Sequence, residues 1–108
     1  MAIINEMLGD GDTTILTVPA GKQYAVLTIL LCNTSDISAS DFTMYFVPGD
    51  GVSGPSVGTM VVNSMPLSAA ETFTFDTEKL ILNEGDRVVL ATSTPFDIIT
   101  ATISFMEV

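Results

Sequence analysis

Histidine and tryptophan are absent from this chain, cysteine occurs once, and only Lys22, Lys79 and Arg87 are basic. Without histidine, the commonest general acid/base and the commonest transition-metal ligand are both missing, so serine triads and His-bearing zinc sites are excluded. Cys32 stands alone, which rules out an intrachain disulfide and a paired-cysteine metal cluster. It lies in an apolar stretch and is expected to behave as a small buried hydrophobe. Three scattered bases against thirteen acids, a formal net charge of −10, would leave a phosphate backbone repelled, and nucleic acid is excluded as a partner. No apolar run approaches the roughly 18 residues that cross a bilayer. Met1-Ala2-Ile3-Ile4-Asn5-Glu6 carries no basic leader, so neither a membrane span nor a signal peptide is expected.

What remains is a chain of 108 residues, 47% hydrophobic and only 15% charged, which fits one globular domain with a surface of Thr, Ser and Asn more than of ions. The acidity reads first as solubility. Tyr24 to Cys32 is apolar at alternate and intervening positions alike, and it follows Val18-Pro19-Ala20-Gly21-Lys22, an approach that no helix tolerates. It reads as a strand wet on neither face, with Leu30 in the core and a neighbouring subunit as the second cover.

Short strands punctuated by turn residues make up the rest. They are expected over Thr14–Val18, Phe42–Val47, Thr59–Met65, Thr72–Asp76, Leu80–Leu82, Arg87–Thr92 and Ile98–Met106. In the last of these, Ile99, Ala101, Ile103 and Phe105 alternate with Thr100, Thr102 and Ser104, which fixes the inward face. Asn33-Thr34-Ser35-Asp36 and Asn83-Glu84-Gly85-Asp86 are turns, Gly85 supplying a positive φ. Single helical turns are possible at Ala69-Ala70-Glu71 and Asp76-Thr77-Glu78-Lys79. Pro48 to Pro55 is an exposed loop. Seven to eight strands at intervals of about ten residues, with no 3.6-residue periodicity, predict an all-β fold: a single antiparallel β-sandwich, jelly-roll-like.

Function is then sought among few candidates. Asp50, Glu84 and Asp86 are available as a glycosidase carboxylate pair, but such sites lie in grooves lined by aromatic rings, and Tyr24 and Tyr45 belong to core strands. The chain is therefore expected not to be an enzyme and to carry no cofactor. Asp10-Gly11-Asp12 and Glu84-Gly85-Asp86 have the spacing to converge on a hard cation, yet neither is followed by the further ordered ligands of a calcium loop, so they read as turns and no metal site is assigned. The scattered methionines read as core filling. Residues 1–12 precede the sandwich of residues 13–108 and contain Ile3, Ile4, Met7 and Leu8, which are expected to form an arm ordered only against a neighbour. These four, with Asp50 and Val52 of the exposed loop, are the candidate partner-binding residues.

The stretches Leu16-Thr17-Val18-Pro19-Ala20-Gly21-Lys22, Ile29-Leu30-Leu31-Cys32-Asn33-Thr34-Ser35, Leu67-Ser68-Ala69-Ala70-Glu71-Thr72 and Leu82-Asn83-Glu84-Gly85-Asp86-Arg87-Val88, with a closing strand ending in Glu107, resemble a group of small virion structural proteins of tailed bacteriophages. The resemblance runs from about Thr13 onward. It implies a β-sandwich module of the capsid decoration (cement) or tail-appendage type, a symmetric homo-oligomer, and no catalytic residues. The expectation that follows is a decoration protein on the capsid exterior, a homo-oligomer and most simply a trimer, which binds the outer face of the major capsid protein lattice and stabilises the head. The alternative is a tail-fibre or appendage module that binds host surface glycan through Asp50. An extracellular adhesin domain is disfavoured by the missing signal peptide.

Overall fold

The computed structural model describes residues 2–75, 80–93 and 95–108. Nine strand segments follow in order: β1 (Ala2–Met7), β2 (Thr13–Thr17), β3 (Tyr24–Asn33), β4 (Ser40–Val47), β5 (Met60–Leu67), β6 (Thr72–Phe75), β7 (Leu80–Leu82), β8 (Arg87–Thr92) and β9 (Ile99–Glu107). One sheet has the order β1-β9-β3-β6, with β7 also paired to β3, and the other has the order β2-β8-β4-β5. All pairings are antiparallel. Segments β6 and β7 lie in succession along one edge of β3, opposite Ile29–Cys32 and Tyr24–Val26. They fill a single strand position, so eight positions in two sheets wind as a jelly roll. The all-β sandwich expected from the strand spacing is the fold.

The core is the contact between the two sheets. In β9 the alternation legible in the sequence holds, with Ile99, Ala101, Ile103 and Phe105 all buried. Phe42 of β4 and Phe73 of β6 meet across the sandwich with ring centroids 5.2 Å apart, and Phe46 meets Phe75 edge-on at 5.8 Å, offset and edge geometries that aromatic quadrupoles favour. Asn33 ends β3 and is one of the few buried polar side chains. Its amide nitrogen donates to the carbonyls of Ser38 and Leu67, and its oxygen accepts the Ser35 N–H, so the turn expected there is knitted by a fully satisfied side chain. Gly85 adopts φ +83° in the tight turn assigned to it.

Three expectations are corrected. In β3 the register against β9 shifts between Val26 and Thr28, leaving Leu27 as an extra residue. A bulge exchanges the faces of everything beyond it. Val26 points inward with Ile29 and Leu31, whereas Leu30, opposite Thr102 and Thr74, is half-buried on the outward face. Within one chain the strand is thus sealed on its inward face, and Leu30 is not part of the core. Second, Ala2–Met7 is no arm: it is a strand paired residue by residue with β9, from Ala2 opposite Phe105 to Met7 opposite Thr100. Leu8, expected as a partner contact, is fully buried in the core. The division at residue 12 therefore gives way to a sandwich that starts at β1. Third, Ala69-Ala70-Glu71 is a turn with Ala70 at φ +63° and not a helical turn; the helical turn expected at residues 76–79 lies outside the described residues. A single 3-10 turn forms instead at Val57–Thr59.

Candidate interaction surfaces

Strand alternation divides the four N-terminal candidates into two pairs. Ile4 packs against the core and Leu8 is in it, while Ile3 and Met7 are 62% and 45% exposed. The outward sense of the second pair is fixed by neighbours: the Thr100 hydroxyl lies 3.6 Å from the Met7 sulfur, and the Thr102 hydroxyl donates to Asn5 Oδ1 at 2.7 Å. The same face continues over β9 with Ser104 and Met106 and over β3 with Thr28, Leu30 and Cys32. It ends with Thr72 and Thr74 of β6 and Ile81 of β7, the last opposite Ala25. No outward position of these five strand segments is charged.

On the opposite side of the sandwich the outward face is partly roofed. The loop after β4 turns back over part of it, Pro48, Gly49, Gly51 and Ser53 standing by Thr14, Thr17 and Arg87, and Val47 and Val89, although they face away from the core, are buried. Asp86 anchors the loop, its two carboxylate oxygens accepting the N–H groups of Gly49 at 2.7 Å and Asn83 at 2.9 Å. Glu84 accepts the Gly21 N–H at 3.0 Å. The acid-glycine-acid stretch thus spends its carboxylates on backbone donors of the turns around it. Arg87 reaches up to the Ser53 carbonyl at 3.2 Å. Between the loop and the sheet lies an open depression of about 510 Å³ lined by Thr14, Thr17, Pro48, Gly49, Gly51, Ser53, Gly85 and Arg87. Threonine hydroxyls and one guanidinium can hold a polar or anionic group there by hydrogen bonds.

Gly49 is where this arrangement has no slack. A Cβ placed on it would lie 2.4 Å from the carbonyl carbon of Gly85 and 2.8 Å from the Asp86 nitrogen, backbone against backbone. Gly49→Ala is expected to lever the loop off the Asn83–Asp86 turn at a cost of about 1–3 kcal/mol, which lowers Tm by on the order of 10 °C in a domain of this size. Gly54→Ala, whose Cβ would meet nothing within 4 Å, should melt like the parent. Equal melts for both variants would refute the close approach.

The loop tip holds the other two candidates. Val52 is 90% exposed. Asp50 is exposed as well, but its carboxylate is engaged in holding the tip together. Its Oδ1 takes the N–H groups of Val52 and Ser53 at 2.9 and 2.7 Å, and its Oδ2 takes the Ser53 hydroxyl at 2.6 Å. These bonds, the Ser53 hydroxyl foremost, lower its pKa from 3.8 to about 2. A depressed carboxyl pKa stabilises the folded tip above the unfolded value and loses that contribution as pH falls through the folded one. The tip is expected to stay ordered near pH 4 and to loosen as pH falls toward about 2. A carbon-detected titration of the Asp50 carboxyl checks this, and a midpoint at the ordinary aspartate value would contradict it.

The two candidate groups therefore sit on opposite sides of the sandwich, Ile3 and Met7 on the outward face of one sheet and Asp50 and Val52 on the loop that roofs the other. Sequence reasoning missed Ile37, 92% exposed in the turn after β3, and Val57, 87% exposed on the 3-10 turn. An isolated apolar residue inside a polar loop is the signal that marks both.

No family model matches the chain, and no curated protein sequence matches it. Among solved structures it is similar to a chain of the acidic stable capsid of Helicobacter pylori bacteriophage KHP30, with a TM-score of 0.54 and 13% identity over 99% of this chain and 90% of that one. At that identity the likeness is one of fold, and it runs from end to end.

Proposed function

We propose that this chain is a structural protein of a bacteriophage virion, and within that class a capsid decoration protein that binds the outer face of a major capsid protein lattice as a homo-oligomer. The observation that carries the reading is the end-to-end match of its jelly roll to a chain of a phage capsid. The chemistry of the chain supports it. There is no histidine anywhere, and the carboxylates of Asp50, Glu84 and Asp86, the best candidates for catalysis, are engaged in holding turns. A net charge of −10 keeps the protein from packaged DNA. Its action is burial of contact area, with no bond made or broken.

The glycan-binding alternative has less support, because most of the acceptor capacity of Asp50 is spent within its own loop. Purified particles of the phage that encodes the chain provide the test. Density for the jelly roll on the outer shell, together with earlier thermal rupture of particles stripped of the protein, is the expected result. Density on the tail, or unchanged rupture, would overturn the decoration reading.

A further inference from the structure

Among the described residues, the outward face of the β1-β9-β3-β6/β7 sheet carries no charge in a chain with thirteen acids and three bases, and that distribution has a physical use. We propose that this face is where a second copy of the chain packs. The proposal deepens the homo-oligomer reading by naming the surface.

Charge selects the occupant. A basic partner would be attracted by carboxylates on the docking face, and none of the described residues places one there. A second copy brings its own −10, so two chains approach with least repulsion where both surfaces are neutral. The opposite sheet is a poorer choice, since its outward positions include Asp41 and Arg87 and it lies partly under the Pro48–Pro55 loop. Composition fits as well. Half-buried or exposed Ile3, Met7, Leu30 and Met106 flank the hydroxyl row of Thr102 and Ser104, a mixture that neither requires water nor is ruined by it.

Area is sufficient. Four strand positions at about 4.8 Å and some nine residues at about 3.3 Å give a face on the order of 20 by 30 Å. Two such faces stacked would remove roughly 1,200 Å² from water, within the range of specific interfaces. Sheets pack face to face in this way inside the sandwich itself.

Light scattering coupled to size exclusion on the free, full-length protein tests the proposal without any particle, so its failure is separable from failure of the decoration reading. The wild type is expected to run as an oligomer. Leu30→Glu combined with Ser104→Glu should reduce it to the mass of one chain with its cooperative melt retained, whereas Val61→Glu, exposed on the opposite sheet, should leave the mass unchanged. A monomeric wild type would overturn the proposal, as would a double variant on the neutral face that keeps the wild-type mass. Should that double variant not fold, Cys32 gives an independent reading in the wild type. It is half-exposed on the same face, so its modification by a maleimide should slow several-fold from dilute to concentrated protein. A rate independent of concentration would refute the contact.

Discussion

Deleting residues 2–8 is expected to abolish cooperative folding. The deletion removes β1 along the whole of its pairing with β9. It also removes Leu8, fully buried, whose N–H donates to the Ile99 carbonyl at 2.8 Å and whose carbonyl accepts the Asp97 N–H at 3.0 Å. Loss of a buried leucine alone costs about 2–5 kcal/mol, against a total of about 5–15 for a domain of this kind. The inward packing of Ile4 goes with it. In addition, β9 would be left as a long unpaired edge, a template for aggregation. Circular dichroism and a thermal melt check the result. A sigmoidal melt within a few degrees of the parent would show that β1 is dispensable.

The second large effect is a contrast between neighbours. Leu31→Asp is expected to prevent folding, because Leu31 is 0% exposed between Ala101 and Phe73 and an unpaired carboxylate there costs several kcal/mol. Leu30→Asp, one residue away, is expected to leave a cooperative melt, since the side chain faces out. A melt lost in both, or kept in both, would show that the phase of β3 is misplaced. The contrast also separates stability from assembly: a folded Leu30→Asp protein that no longer self-associates is the outcome the neutral face requires.

Why the phase of β3 escaped the sequence is physical. In β9 the hydroxyls of Thr100, Thr102 and Ser104 fall at every second position, so the inward set of Ile99, Ala101, Ile103 and Phe105 is legible from alternation, and Phe73 and Phe75 are legible in the same way. Tyr24 to Cys32 offers apolar residues on both faces, and an extra residue at Leu27 leaves no mark in such a run. The register of β5 against β4 also shifts, once between Met65 and Val62, and this is equally silent. Ser64 takes φ 45° there and its N–H is held by the Thr43 hydroxyl of the neighbouring strand, a contact made only after the strands meet. The turn Asn83–Asp86 could be read because Gly85 and its flanking acids act within four residues. That Asp86 also fastens Gly49 could not, because the partner lies on another loop. Of the candidate contacts, the exposure of Val52 followed from its loop, while the inward turn of Leu8 depended on a partner strand at the far end of the chain.

That partner strand has a consequence for how the protein is made. β1 pairs with β9, Ala2 opposite Phe105, so the five-segment sheet cannot close until β9 has been made. Pairing between remote segments is slow and leaves apolar edges exposed in the meantime. On the ribosome β1 emerges before the eight segments that follow it in the chain and stays without its partner until β9 appears. Sealing of that edge is thus a late event in folding, made between residues about a hundred positions apart.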